Sequence, residues 1–282
     1  SFSSPEYDHR YLLDGPLAEG DVHIGGGWKS VVVGSSGAGP RSLFALDITD
    51  PTTFTTAKVL FDMDAANEPD LGHVTGRPLI ASTAAGKWVA IVGNGYESAQ
   101  HRAMLLVVDL ETGNVLRKID TGVGSDAAGL RNGLGPVTPI YNARRDVVGV
   151  YAGDKLGNVW KFDLSSATAS DWKVATVGAA PAAPFFTATD AGGNRQPITS
   201  EIRVTEHPLG GRFLVFGTGK YFEEGDATTT STQAIYAIRD VGDVASVTRG
   251  QLQAGTLANV SGGDYRSVSG LQPIDWTTRR GW

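Results

Sequence analysis

The chain has 282 residues, no cysteine and a formal net charge of −6, with 24 Lys plus Arg against 30 Asp plus Glu. This excludes disulfides, thiolate nucleophiles and cysteine-ligated zinc or iron–sulfur sites, and it argues against nucleic acid as a partner, because no basic stripe runs along the chain. Hydrophobic residues make up 41%, enough for a sizeable core, and no run of about 18 apolar residues marks a transmembrane segment.

Glycine is abundant, at 37 residues, and short apolar runs alternate with Gly, Asp, Asn and Pro. That pattern predicts strands and tight turns, not helices. One plan recurs in chain order. Residues 28–48 read WKSVVVGSSGAGPRSLFALDI, 88–110 read WVAIVGNGYESAQHRAMLLVVDL, 147–164 read VVGVYAGDKLGNVWKFDL, and 212–239 read RFLVFGTGKYFEEGDATTTSTQAIYAIR. Each is an apolar run, a Gly (Gly34, Gly93, Gly153, Gly217), a polar loop and a second apolar run. Three of the second runs end in Asp-aliphatic, at Asp47, Asp109 and Asp163, while the fourth has Arg239 there. The Asp reads as a turn-maker whose carboxylate takes a backbone N–H two residues on.

A further strand is predicted before the later hairpins, at Pro78-Leu79-Ile80, Pro136 to Ile140 and Pro197-Ile198, and another at Asn114-Val115-Leu116. Pro suits strand starts and edges. Three or four antiparallel strands per repeat predict an all-β fold, an irregular β-propeller of antiparallel blades with four clear hairpin repeats and further blades at the ends. The span 1–282 reads as a single β-propeller domain. Because it begins at Ser1 with no Met, it reads as an excised fragment or a processed chain.

The segments at 28–51, 70–81 (DLGHVTGRPLIA), 86–98 (GKWVAIVGNGYES) and 150–164 resemble the C-terminal propeller of the PilY family, type IV pilus biogenesis factors and tip-associated adhesins. Leu13-Asp14-Gly15-Pro16 and the closing WTTRRGW, 276–282, extend the resemblance over nearly the whole chain. It implies an exported protein at the cell surface, pilus tip or outer membrane. Its role would be to support pilus assembly by countering retraction, and to promote attachment and twitching motility. The implied partners are pilus components such as minor pilins, with host or abiotic surfaces as a further class. Many members bind calcium in an Asp-rich loop before the VYAGD strand. Here the matching stretch, 140–148, offers only Asn142 and Asp146 beside Arg144 and Arg145. Calcium takes six to eight oxygens, so this loop is expected to have lost the ion, and no cofactor is expected.

Other candidates are weaker. Asp62, Asp64, Asn67 and Asp70 begin like an EF-hand but lack its Gly and closing Glu, and read as a solvated loop with calcium as the alternative. Gly34 to Gly39 reads as an exposed hairpin tip, since no helix or Gly-Lys-Ser/Thr follows. His9, His23, His73, His101 and His207 show no metal spacing, and Glu223-Glu224 sits in a glycine-rich loop with no evident partner. Trp28, Trp88 and Trp160 occupy strand positions and are expected to pack between blades, with a carbohydrate platform as the minor alternative.

The chain is therefore expected to be a non-catalytic surface module whose loops 34–42, 93–103 and 218–233 face partners. Two alternatives stand beside it. One is a quinoprotein dehydrogenase of the pyrroloquinoline-quinone (PQQ) type, because Asp109 to Gly113 and Ala152 to Gly157 look like that family's propeller repeats. The other is a non-catalytic outer-membrane assembly scaffold.

Overall fold

The computed structural model describes residues 11–175, 182–243, 245–260, 265–270 and 272–282. Its strands form successive antiparallel meanders. The first blade is β1 (Leu17–Ile24), β2 (Gly27–Ser35), β3 (Ser42–Asp47) and β4 (Val59–Asp64). The second is β5 (Leu79–Ser82), β6 (Trp88–Gly93), β7 (Met104–Asp109) and β8 (Val115–Asp120). The third is β9 (Leu134–Tyr141), β10 (Val147–Asp154), β11 (Asn158–Asp163) and β12 (Lys173–Val174), with β13 (Phe186–Thr187) on the start of β11. The fourth is β14 (Arg203–Glu206), β15 (Arg212–Gly217) and β16 (Ile235–Asp240). β17 (Thr256–Asn259) and β18 (Arg266–Ser269) form a separate exposed hairpin.

The four sequence repeats are the β2–β3, β6–β7, β10–β11 and β15–β16 hairpins. The chain ends do not add further blades among the described residues. Asp14 instead pairs its amide with Ser36 beside β2. Residues 280–282 lie along β16, where the amides of Ala237 and Trp282 exchange bonds of 2.7 and 2.9 Å with each other's carbonyls. Pro197-Ile198 is not the inner strand of blade four. It makes an isolated bridge to Gly219, and β14 takes that place.

Side chains alternate across each strand, and the middle blades are apolar on both faces because each is covered on both sides. In β6, Ala90 and Val92 pack toward blade one with Val31, Val33 and Leu43. Val89 and Ile91 pack toward blade three with Val150, Trp160 and Trp172. A third layer joins Tyr151 and Val159 to Phe186, Leu214, Phe216 and Tyr236 of the last blade. Face-to-face stacking of separate meanders through such layers is what a propeller requires.

The repeating aspartates make the predicted turns. Asp47, Asp109 and Asp163 accept the amides of Thr49, Glu111 and Ser165 at 3.0, 2.8 and 3.0 Å. The fourth repeat keeps the device one residue later than expected. Asp240, not Arg239, accepts the Gly242 amide at 2.7 Å, and Arg212↔Asp240 pair as Val31↔Asp47 and Val89↔Asp109 do. Asp240 is buried and also binds Lys161 (2.6 Å) and Tyr151 Oη, tying blades three and four.

Two packing expectations are corrected. Trp160 is fully buried and Trp88 half-buried, but Trp28, at the end of its strand, is exposed. The 34–39 loop is not a free tip, because the backbone of Leu12 to Gly15 lies against Ser35, Gly37 and Gly39.

The carboxylates that hold turns set an acid limit. Burial pushes Asp47 up, but the Thr49 hydroxyl and amide and the Lys29 ammonium outweigh it and hold the group at about 2. Asp226 is likewise pushed up by burial and held at about 2 by Lys220 and the amides of Glu223 and Phe222. Both lie below their ordinary 3.8, so their stabilisation is complete above that value and is lost as pH falls through about 2. Thermal melting between pH 5 and pH 2 should show Tm falling across that window. Substituting Asp47→Asn and Asp226→Asn together should flatten the fall, and an unchanged pH profile would contradict it.

Candidate functional site

The loops 34–42, 93–103 and 218–233 all leave the blades at the same end, and the structure brings them into contact. Arg41 donates to the Glu97 carbonyl at 2.7 Å, joining the first loop to the second. Phe222 stacks on Tyr96 with centroids 4.5 Å apart and planes 23° apart, joining the third to the second. Lys155, buried at the β10–β11 turn, lies between them, with Nζ 2.6 Å from Glu223 and 3.6 Å from Glu97. Glu97 also pairs with Arg131 at 3.2 Å, and Arg131 with Asp126 at 2.7 Å.

Glu223 is thus not the idle carboxylate its sequence context suggests. Burial pushes its carboxyl up, but Lys155 and Lys220 outweigh that and hold it below its ordinary value. Lys220 binds both Glu223 and Asp226, which fixes the base of the 218–233 loop. Beyond that base, residues 227–233 are exposed and Tyr221 is 79% exposed.

The 93–103 loop is strained and underbonded. Gly95, Glu97 and His101 have φ of +73°, +60° and +52°, a region uncommon for any residue but glycine, and more so for Glu than for His. Tyr96 Oη, Ser98 Oγ and His101 Nδ1 are buried with no hydrogen-bond partner. Burial pushes the Tyr96 phenol up, and Asp154 adds to the shift. Strain and unmet polar groups concentrated in one loop are a mark of functional surfaces. Sequence reasoning missed Lys155, Tyr96 and Phe222. The available signal was an aromatic inside each of two polar, glycine-rich loops.

The proposed calcium positions have other uses. Asn142 and Asp146 close the β9–β10 turn at the opposite end of the blades. Asn142 Oδ1 accepts the amides of Arg144 and Asp146 at 2.8 and 3.0 Å, and Ser82 Oγ donates to Asp146 at 2.8 Å. Arg145 lies over the Tyr141 ring. This donor set does not fit a calcium ion. In the acidic stretch, Asp62 lies on edge strand β4, Asp64 and Asn67 cap each other's turn, and Asp70 with Glu68 holds the Lys118 ammonium, each at 2.9 Å. Among the described residues no group of three or more His, Asp or Glu is placed to hold a metal ion. His9 lies outside the described residues.

The segments that look like quinoprotein repeats serve packing. Asp109 makes its turn and pairs with Lys87 at 3.0 Å, and Asp154 binds the Trp160 indole at 2.8 Å within blade three.

The family model described as "PilY1 beta-propeller domain" matches residues 5–267. The chain belongs to this family. It is 38% identical over 291 residues to a "Type IV pilus biogenesis factor PilY1 homolog" of Xylella fastidiosa, covering 99% of this chain and 20% of that one. It is 34% identical to the "Type IV pilus biogenesis factor PilY1" of Pseudomonas aeruginosa PAO1, covering 97% and 26%. The crystal structure of the Pseudomonas aeruginosa PilY1 C-terminal domain superposes with a TM-score of 0.79 at 32% identity, over 95% of this chain and 61% of that one. The PilY1 propeller in this chain spans about a fifth to a quarter of the curated relatives' length. Among the described residues no helix is long and apolar enough to cross a membrane.

Proposed function

We propose that this propeller is the non-catalytic surface module of an exported type IV pilus biogenesis protein, working at the cell surface or pilus tip. Its loop end binds pilus components such as minor pilins. By holding them it supports assembly against retraction, and through it attachment and twitching motility. The observation that carries this reading is the meeting of three loops from separate blades, two of them bridged by Lys155 and the third joined through Arg41, on a fold whose relatives are named as pilus biogenesis factors. Loops on a rigid scaffold are where recognition concentrates.

The test uses the full-length protein carrying Phe222→Ala and Glu223→Lys together. Both residues lie at the surface, with Phe222 46% exposed, and the blade layers do not depend on them. Surface pilus number and twitching distance should fall while the protein level stays constant. Unchanged pili and twitching at equal protein level would remove the loop end from the function.

Calcium control is not part of this proposal, because the Asn142–Asp146 turn is closed by its own hydrogen bonds. Titrating calcium into chelator-treated protein should give no binding heat and no shift in Tm. Stabilisation by calcium would overturn that part of the reading.

A further inference from the structure

The opposite end of the blades carries an aromatic surface that pilus assembly, as proposed, does not use. The β1–β2 turn is Gly25-Gly26, with φ of +59° and +78°, as a two-residue hairpin turn demands. Gly27 needs no such freedom, and a Cβ added at Gly25, Gly26 or Gly27 would meet nothing within 4 Å. Beside this bare backbone stands Trp28, 66% exposed. Its indole is nevertheless positioned. The His23 ring lies 5.5 Å away at 75° and the Trp88 ring 6.0 Å away at 71°, both edge-to-face. Glu111, from the β7–β8 turn of blade two, fixes the neighbouring backbone by accepting the Gly25 amide at 3.1 Å.

The local lysines are already paired. Lys29 and Lys58 pair with Asp47, Lys87 pairs with Asp109, and Asp21 accepts from Ser30. An anionic polymer would find no free cation among these lysines, and the indole is bordered by the bare Gly25 to Gly27 backbone, His23 and the edge of Trp88.

We propose that Trp28 is the stacking platform of a carbohydrate site for a neutral pyranose, with His23 and Glu111 at its margin as hydrogen-bond partners. A pyranose presents one face of C–H bonds and a rim of hydroxyls. The negative face of an indole attracts the C–H face, the unsubstituted glycines leave room for flat approach, and the rim meets polar groups.

The test is titration of cellotetraose and of the β-1,4-linked N-acetylglucosamine tetramer into this chain, followed by tryptophan fluorescence and saturation-transfer NMR. Saturable binding of at least one sugar is expected. Trp28→Ala should weaken it at least about tenfold, equivalent to ~1.4 kcal/mol, and Trp28→Phe should retain most of it. Tyr221→Ala at the far end should change nothing. Failure of the wild type to bind either sugar would overturn the proposal, as would binding by Trp28→Ala as tight as that of the wild type. So would loss of a self-association equilibrium in Trp28→Ala without any sugar effect, because the surface would then be a protein contact.

Discussion

Asp154→Ala should lower the unfolding free energy by about 3 kcal/mol or more, since each buried donor left without its acceptor costs about 1–3 kcal/mol. Asp154 is fully buried. Its Oδ2 accepts from Asn132 (2.9 Å), Asn158 (2.8 Å) and the Trp160 indole (2.8 Å), and its Oδ1 accepts the Asn158 amide (2.8 Å). Burial pushes the carboxyl up, and these bonds oppose that shift. Removing the carboxylate leaves the Asn158 amide, its side-chain nitrogen and the Trp160 indole without that acceptor, while Asn132 keeps its bond to the Val123 carbonyl, in a fully buried site. It also frees the Trp160 ring, which fills the layer between blades two and three. Trp160→Phe keeps most of the ring volume and removes one donor, so it should cost less than Asp154→Ala. Urea unfolding of the two variants measures both. An Asp154→Ala loss below about 1 kcal/mol would mean that the network is replaceable.

Gly93→Ala should cost about 3 kcal/mol or prevent folding, as an overpacked contact that no rotamer change relieves. A Cβ at Gly93 would lie 2.1 Å from the Gly135 carbonyl oxygen and 2.6 Å from that of Leu134, both backbone atoms of β9. A Cβ at Gly133 would likewise meet Gly95 O at 2.1 Å in the same junction. Blades two and three therefore touch backbone to backbone here, and any side chain drives them apart. Gly27→Ala is the matched control. Its site is open and its φ is not positive, so stability should be unchanged or rise by up to ~1 kcal/mol through the unfolded chain. Chemical denaturation of the pair distinguishes close packing from a general effect of glycine replacement. Equal stability of the two variants would contradict the proposed junction.

The hairpins were legible because each is written in one continuous stretch, with Gly and Asp as punctuation. The register of the fourth was misread by one residue, because its loop is longest and both Arg239 and Asp240 stand where the strand ends. Pro197-Ile198 looked like a strand start, yet its bridge runs to Gly219 and β14 pairs with β15 instead. Trp28 was assigned inward because it begins an apolar run. The inward residues are Val31 and Val33, and Trp28 lies at the strand end, where the ring is free to turn outward. The loop-end site was only half legible. Loop length and polarity picked out the three loops, but Lys155 and Glu223 lie 68 residues apart in sequence, and no local pattern announces an ion pair across that distance.

The most direct test of the loop end as the working surface is photo-crosslinking in intact cells. A photoreactive phenylalanine analogue replaces Tyr221 at the loop end of the full-length protein, or Val241, also exposed, at the other end of β16. Adducts with pilus components should form from position 221 and not from position 241. Adducts from 241 alone would place the partner at the opposite end of the blades and contradict the proposed function.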